Sequence, residues 1–171
     1  MASYMMFSLL LVFISIGTGS GSEITETHMV FYVHDTFTGK NATAMIAAGV
    51  NGSSTNVAKF GATVVVDDLV TEQRQKDSKM LGKAKGAYIN ADASGVNAAA
   101  SLLWTIAFEA ADDSYDSLQL QGVDSFFRSP REVSVVGGTG KYRFARGYAV
   151  VSTEYFDGMD SVLKFEVTTR A

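Results

Sequence analysis

The chain has 171 residues, 47% of them apolar and 19% charged, with sixteen glycines, one proline, no cysteine and a formal net charge of −4. This length suits one domain around one core, and the composition argues against disorder. Lysines and arginines are scattered rather than gathered into a basic stripe, which argues against a nucleic-acid partner.

In chain order, residues 1–22 come first: an apolar run over 5–16 followed by small residues. The run is too short to cross a bilayer comfortably, and no stop-transfer charge follows it. It reads as a secretory signal cut between residues 17 and 23, although its leading segment carries no Lys or Arg. The expected mature domain covers 23–171, with no membrane attachment after cleavage. Export makes the absence of cysteine informative, because stability must then come from packing, sheet closure or association. Two sequons, at Asn41 and Asn51, fit passage through the secretory pathway.

Beyond the signal, the chain alternates strand and turn. Period-two alternation or short apolar runs predict strands near 29–35, 60–67, 82–90, 101–110, 115–123, 131–136, 143–155 and 160–169. The last is the clearest: Leu163, Phe165 and Val167 share one face, and Lys164, Glu166 and Thr168 the other. Residues 63–66 and 102–108 are apolar on both faces, and a helix over 96–108 competes with the strand there. Two-sided apolar strands without covering helices point to a second subunit. About eight antiparallel strands with short connections predict a closed barrel, with a two-sheet sandwich as the alternative.

Two stretches carry candidate chemistry. In FYVHDTFTG (31–39), Asp35 ends the row Met29, Phe31, Val33. A carboxyl at the edge of an apolar cavity is desolvated and becomes a proton donor near neutral pH; the same residue also suits the start of a turn. His34, of opposite parity, reads as structural or exposed. In REVSVVGGTGKYRFARGYA (131–149), Arg131 heads the row Val133, Val135, with Asp124 just upstream. This is either a surface salt bridge or an arginine and two carboxylates meeting at a pocket mouth, able to hold a phenolic or carbonyl oxygen. The glycines at 137, 138 and 140 read as a tight turn rather than a phosphate loop, since neither phosphate-binding spacing is present. Arg143 and Arg146 read as solvated or subunit-contact charge. With two histidines and no cysteine no metal site is expected, and no GxSxG nucleophile elbow occurs.

FYVHDTFTG, FGATVVVDDLVT (60–71), LGKAKGAY (81–88) and the 131–149 block follow one another as they do in the dirigent proteins of plants, which the whole mature chain resembles. The resemblance implies an all-β, eight-stranded antiparallel barrel of the allene oxide cyclase-like kind, assembled as a homotrimer and secreted to the apoplast as a glycoprotein. It also implies a pocket for phenoxy radicals or quinone methides, with radicals supplied by a separate oxidase, a laccase or peroxidase, and no cofactor of its own. Such a protein imposes stereochemistry on phenylpropanoid coupling. The alternatives are a ring-closing enzyme acting on a quinone methide, as in pterocarpan-forming relatives, and a wall or defence protein without pocket chemistry. Motif by motif, Asp35, Asp124 and Arg131 fall on the acidic and basic pocket positions, Tyr88 on a pocket tyrosine and Thr153 on a pocket threonine. Asn90 stands where lignan-forming members often have tyrosine, and the family's usual cysteine pair is missing.

Overall fold

The computed structural model describes residues 25–49, 56–94 and 116–170, with the backbone of 102–110. Nine strands follow in order: β1 (Glu26–Asp35), β2 (Ala44–Ala48), β3 (Thr63–Thr71), β4 (Met80–Asn90), β5 (Leu102–Ala110), β6 (Ser117–Asp124), β7 (Arg131–Thr139), β8 (Arg146–Phe156) and β9 (Ser161–Arg170). From β3 to β9 each strand pairs with the next, β9 pairs with β1, and β1 meets β3 at Tyr32–Thr71, Val33–Val70 and His34–Leu69. That last pairing closes an antiparallel ring of eight strands. Closure joins strand edges to one another, which reduces the open edge that could template another chain.

The ninth strand is a continuation rather than an addition. β2 lies on the same edge of β3 as β1 but further along, with Ala44 opposite Val66 and Ile46 opposite Val64. Residues 36–43 make an excursion between them. Its neck is sewn shut: the Thr43 and Ala44 amides donate to the Thr36 carbonyl at 2.7 and 3.0 Å, and the Asp67 amide donates to the Thr43 carbonyl at 2.9 Å. Sequence reading missed β2 because its run AMIAA has no polar alternation to mark a face.

Side-chain parity carries the core inside the ring. Leu163, Phe165 and Val167 are at most 2% exposed, while Lys164 and Glu166 pair outside at 3.0 Å. Phe165 stacks on Phe31 of β1, ring centroids 5.3 Å apart. Burying such a side chain contributes about 1.5–3 kcal/mol, and a one-residue slip would turn the whole row outward, so register is strongly specified. The competition over 96–108 resolves as strand: β5 pairs with β4 and with β6 along nearly its whole length. Its side chains, and residues 95–101, lie outside the described residues, as do the expected signal over 1–22 and Asn51.

The glycine cluster reverses the chain between β7 and β8. Gly140 has φ +59° and opens a single 3-10 turn, Gly140–Tyr142. A Cβ on Gly138 would run into the backbone carbonyls of Tyr142 and Ser117. The reversal lasts longer than expected, because Arg143, Phe144 and Ala145 belong to the turn and β8 starts at Arg146. β3 likewise runs to Thr71 rather than stopping at 67.

Candidate functional site

Inner-face rows end in polar groups at one end of the barrel. On β1 the row Phe31, Val33 finishes at Asp35, which is 9% exposed. Across the lumen Tyr88 of β4 is 4% exposed and donates its hydroxyl to Asp35 Oδ2 at 3.3 Å. Burial pushes the Asp35 carboxyl up to about 7; the Tyr88 hydrogen bond pulls it back, and the nearby Asp160 charge raises it further. Burial also drives the Tyr88 phenol well above its ordinary value, with the Asp35 and Asp68 charges acting the same way. The phenol therefore stays protonated and acts as a donor.

Arg131, first residue of β7, is 6% exposed, and Asp124, last of β6, is fully buried. The Arg131 Nε–H donates to Asp124 Oδ1, and its Nη1 donates to the Arg128 carbonyl at 3.2 Å. The ring of Phe126 lies 5.2 Å from the guanidinium carbon. Burial pushes the Asp124 carboxyl up, opposed by the guanidinium beside it. This is a desolvated pair, unlike the surface salt bridge that the sequence left open. Breaking it from one side would leave a buried charge, at a cost of about 3–5 kcal/mol.

A cavity of about 500 Å³ opens at this end. Asp35, Tyr88 and Ser161 form its polar floor, and Phe37, Phe126 and Phe156 are among its aromatic walls. Phe126 packs edge-on against Phe156, 5.1 Å between centroids, and against Phe127 at 5.4 Å. Asp124 and Arg131 do not line this cavity; they sit behind Phe126. Nor does Asn90, which is fully buried: its amide donates to the Val57 carbonyl at 3.3 Å, and its Oδ1 accepts from the Asp92 amide at 3.1 Å. It holds the segment that presents Val57 and Ala58 to the cavity. Thr153 follows Ala149 and Val151 on the inward face of β8 and is half-buried. Asn41 is exposed at the tip of the 36–43 excursion.

Among the described residues, four buried side-chain polar atoms have no hydrogen-bond partner: Asp35 Oδ1, Asp124 Oδ2, Arg131 Nη2 and Thr153 Oγ1. Folded proteins rarely leave such atoms unpaired. Here all four belong to residues that the sequence marked as site residues, around one end of one barrel.

Sequence reading missed Asp68. It shares parity with Val64, Val66 and Val70 and is 2% exposed. The Thr43 hydroxyl lies 2.6 Å from Asp68 Oδ1. Burial pushes the carboxyl up to about 8, helped by the Asp35 charge. The parity was readable, but an Asp-Asp pair suggests the end of a strand, since aspartate is depleted within strands. His34 is the structural histidine that the sequence left as one option: it is 3% exposed, 2.8 Å from the Thr71 hydroxyl, and burial lowers its pKa. The site as a whole offers an enclosure with aromatic walls, a neutral-pH acid and a phenol donor.

The family profile described as dirigent-like protein matches residues 26–170. The chain is 36% identical over 146 residues to Dirigent protein 23 of Arabidopsis thaliana, covering 83% of this chain and 76% of that one. It is 35% identical over 147 residues to Pterocarpan synthase 1 of Glycyrrhiza echinata, covering 82% and 76%. A solved structure of a pterocarpan synthase dirigent protein superposes with a TM-score of 0.78 at 30% identity, covering 89% of this chain and 88% of the other.

Proposed function

Because the chain belongs to the dirigent family, we propose that its barrel binds a phenoxy radical or a quinone methide and fixes the face from which the next bond forms. The observation carrying this reading is the unpaired buried Oδ1 of Asp35 on the floor of an aromatic-walled cavity, with further unpaired buried atoms on Asp124, Arg131 and Thr153 at the same end of the barrel. The Asp35 oxygen gains a partner when a guest with a phenolic or carbonyl oxygen enters. Radical coupling is fast in water, so the protein's contribution is orientation rather than a large lowering of a barrier. A separate oxidase, laccase or peroxidase, supplies the radicals.

A second reading is favoured by Asp35. An acid held near neutrality on the cavity floor can protonate a quinone methide carbonyl while an internal hydroxyl attacks the methide carbon and returns its proton to the carboxylate, closing a ring. The pterocarpan synthase relatives support this alternative. The exposed Asn41 suits the expected glycosylation in an apoplastic protein, and the outward apolar residues described below suit a trimer.

The test has two arms. With an oxidase and coniferyl alcohol, chiral chromatography should show one enantiomer in excess only when the protein is present, and Asp35→Asn should reduce that excess. With a quinone methide precursor and no oxidase, turnover selects the ring-closing reading. Racemic coupling together with no turnover would remove both, leaving the wall or defence role.

A further inference from the structure

Thr43 joins three elements at the root of the cavity acid. Its hydroxyl oxygen accepts the Thr36 amide hydrogen at 3.2 Å, lies 3.4 Å from the His34 carbonyl and is 2.6 Å from Asp68 Oδ1. Thr36 and His34 flank Asp35 on the chain. One side chain therefore grips the backbone on both sides of Asp35 and is itself held from β3 by a buried carboxyl.

A threonine hydroxyl has one hydrogen, and Asp68 decides where it goes. With Asp68 ionised, the hydroxyl donates to the carboxylate and the His34 carbonyl receives nothing from it. With Asp68 protonated, the carboxyl donates to Thr43 Oγ1, and the threonine hydrogen turns to the His34 carbonyl. The grip on both sides of Asp35 is complete only in the second state.

We propose that Thr43 and Asp68 form a proton-switched clamp on the backbone flanking Asp35, and that both are positioning residues for the cavity acid. The proposal rests on the reading above that Asp35 meets the guest. Charge counting favours the closed state at neutral pH. Asp35, Asp68 and Asp124 are all buried in this barrel, and Arg131, the buried cation among the described residues, is committed to Asp124. Among the other titratable groups around Asp68, the Lys83 ammonium favours its charged form and the Asp35 and Asp67 charges oppose it. Asp67 on its own strand is exposed, and Lys83 of β4 lies 3.6 Å from Asp67. His34 of β1 bonds Thr71, Lys76 of the β3–β4 connection reaches the Thr36 hydroxyl at 3.2 Å, and Tyr88 of β4 bonds Asp35.

The clamp can be read without any guest, from the Thr36 amide signal in nitrogen–proton NMR spectra and the aspartate carboxyl carbons in carbon spectra, followed from about pH 5 to about pH 9.5. In the wild type the Thr36 amide should move in two steps, near 7 with Asp35 and near 8 with Asp68. Asp68→Asn, whose amide mimics the protonated acid as a donor, should abolish the upper step. Asp35→Asn should leave one step, moved to lower pH because the Asp35 charge no longer opposes ionisation of Asp68. Thr43→Val should uncouple the amide from Asp68 while the Asp68 carboxyl carbon still titrates, and Thr43→Ser should restore the coupling. If Thr43→Val fails to fold, the Asp68→Asn comparison alone decides. A Thr36 amide that keeps its upper step in Asp68→Asn, or an Asp68 carboxyl titrating in the ordinary range, overturns the proposal. A flat Thr36 amide leaves the stereochemical reading standing, and racemic products leave the clamp standing.

Discussion

Asp35 and Asp68 are the residues at which burial and chemistry meet, and their titration has a consequence for the whole fold. Both bind a proton more tightly folded than unfolded, being raised from about 3.8 to about 7 and about 8. The stability they contribute is therefore complete below the unfolded value and is lost as pH rises to those folded values. Urea denaturation in pH steps should show the unfolding free energy falling by several kcal/mol between about pH 4 and about pH 8, at about 1.4 kcal/mol per unit of displacement. The double variant Asp35→Asn, Asp68→Asn should flatten most of that fall. A wild type equally stable at pH 4 and pH 8 would mean that these carboxyls ionise as if solvated. Asp35 could be nominated from sequence because its row is apolar to the end. Asp68 could not, although it has the same parity signal, because its neighbour Asp67 faces water and the pair together resembles a turn.

At the level of elements, the turns carry most of what the alternation did not predict. The β7–β8 reversal holds Phe144 at φ +68° with its ring 82% exposed. A bulky side chain in the left-handed region is strained, and this one regains nothing from packing. Phe144→Gly should raise stability by about 0.5–1 kcal/mol in thermal or urea unfolding. A loss instead would show that the ring is held by contacts outside this chain. The 36–43 excursion is pinned from the adjacent β8–β9 turn: the Phe37 and Thr38 amides donate to Asp160 Oδ1 at 2.8 and 3.1 Å, and the Thr38 hydroxyl to Oδ2 at 2.6 Å. Asp160 therefore sets the Phe37 wall while its charge raises the acid beside it. Spacing along a chain does not reveal a contact between residues more than a hundred positions apart, so this pin could not be read from sequence, and the Thr43 hub, though its partners lie 7, 9 and 25 positions away, depends on how β1, β2 and β3 pair.

On the scale of the molecule, the closed ring leaves part of its outer wall apolar. Met45, Val65, Ile89 and Val123 are 62%, 39%, 39% and 55% exposed. Met45 lies opposite Val65, and the row containing Ile89 reaches Val123 through β5. Exposed apolar residues gathered on one part of the outer wall suit an interaction face, and the proposed trimer would cover them. Ile89→Lys combined with Val123→Lys should convert trimers to monomers by sedimentation while preserving the strand signal in circular dichroism. Wild-type monomers at micromolar concentration would sink the trimer without touching the barrel.

Alternation, turn residues and the four quoted motifs determined the strand class, eight courses of chain, the facing of the core rows on β1, β7 and β9, and Asp35 and Arg131 at the ends of two of them, because side-chain parity is a local property of an extended backbone. Which row ends come together was decided only when β1 met β3 and closed the ring, since closure depends on contacts far apart in sequence. That closure set Tyr88 against Asp35 and brought Thr43 over the buried Asp68, while the β6–β7 connection laid Phe126 beside the Arg131 that pairs with Asp124. Desolvation follows from these enclosures, and with it the acidity on which the proposed chemistry rests.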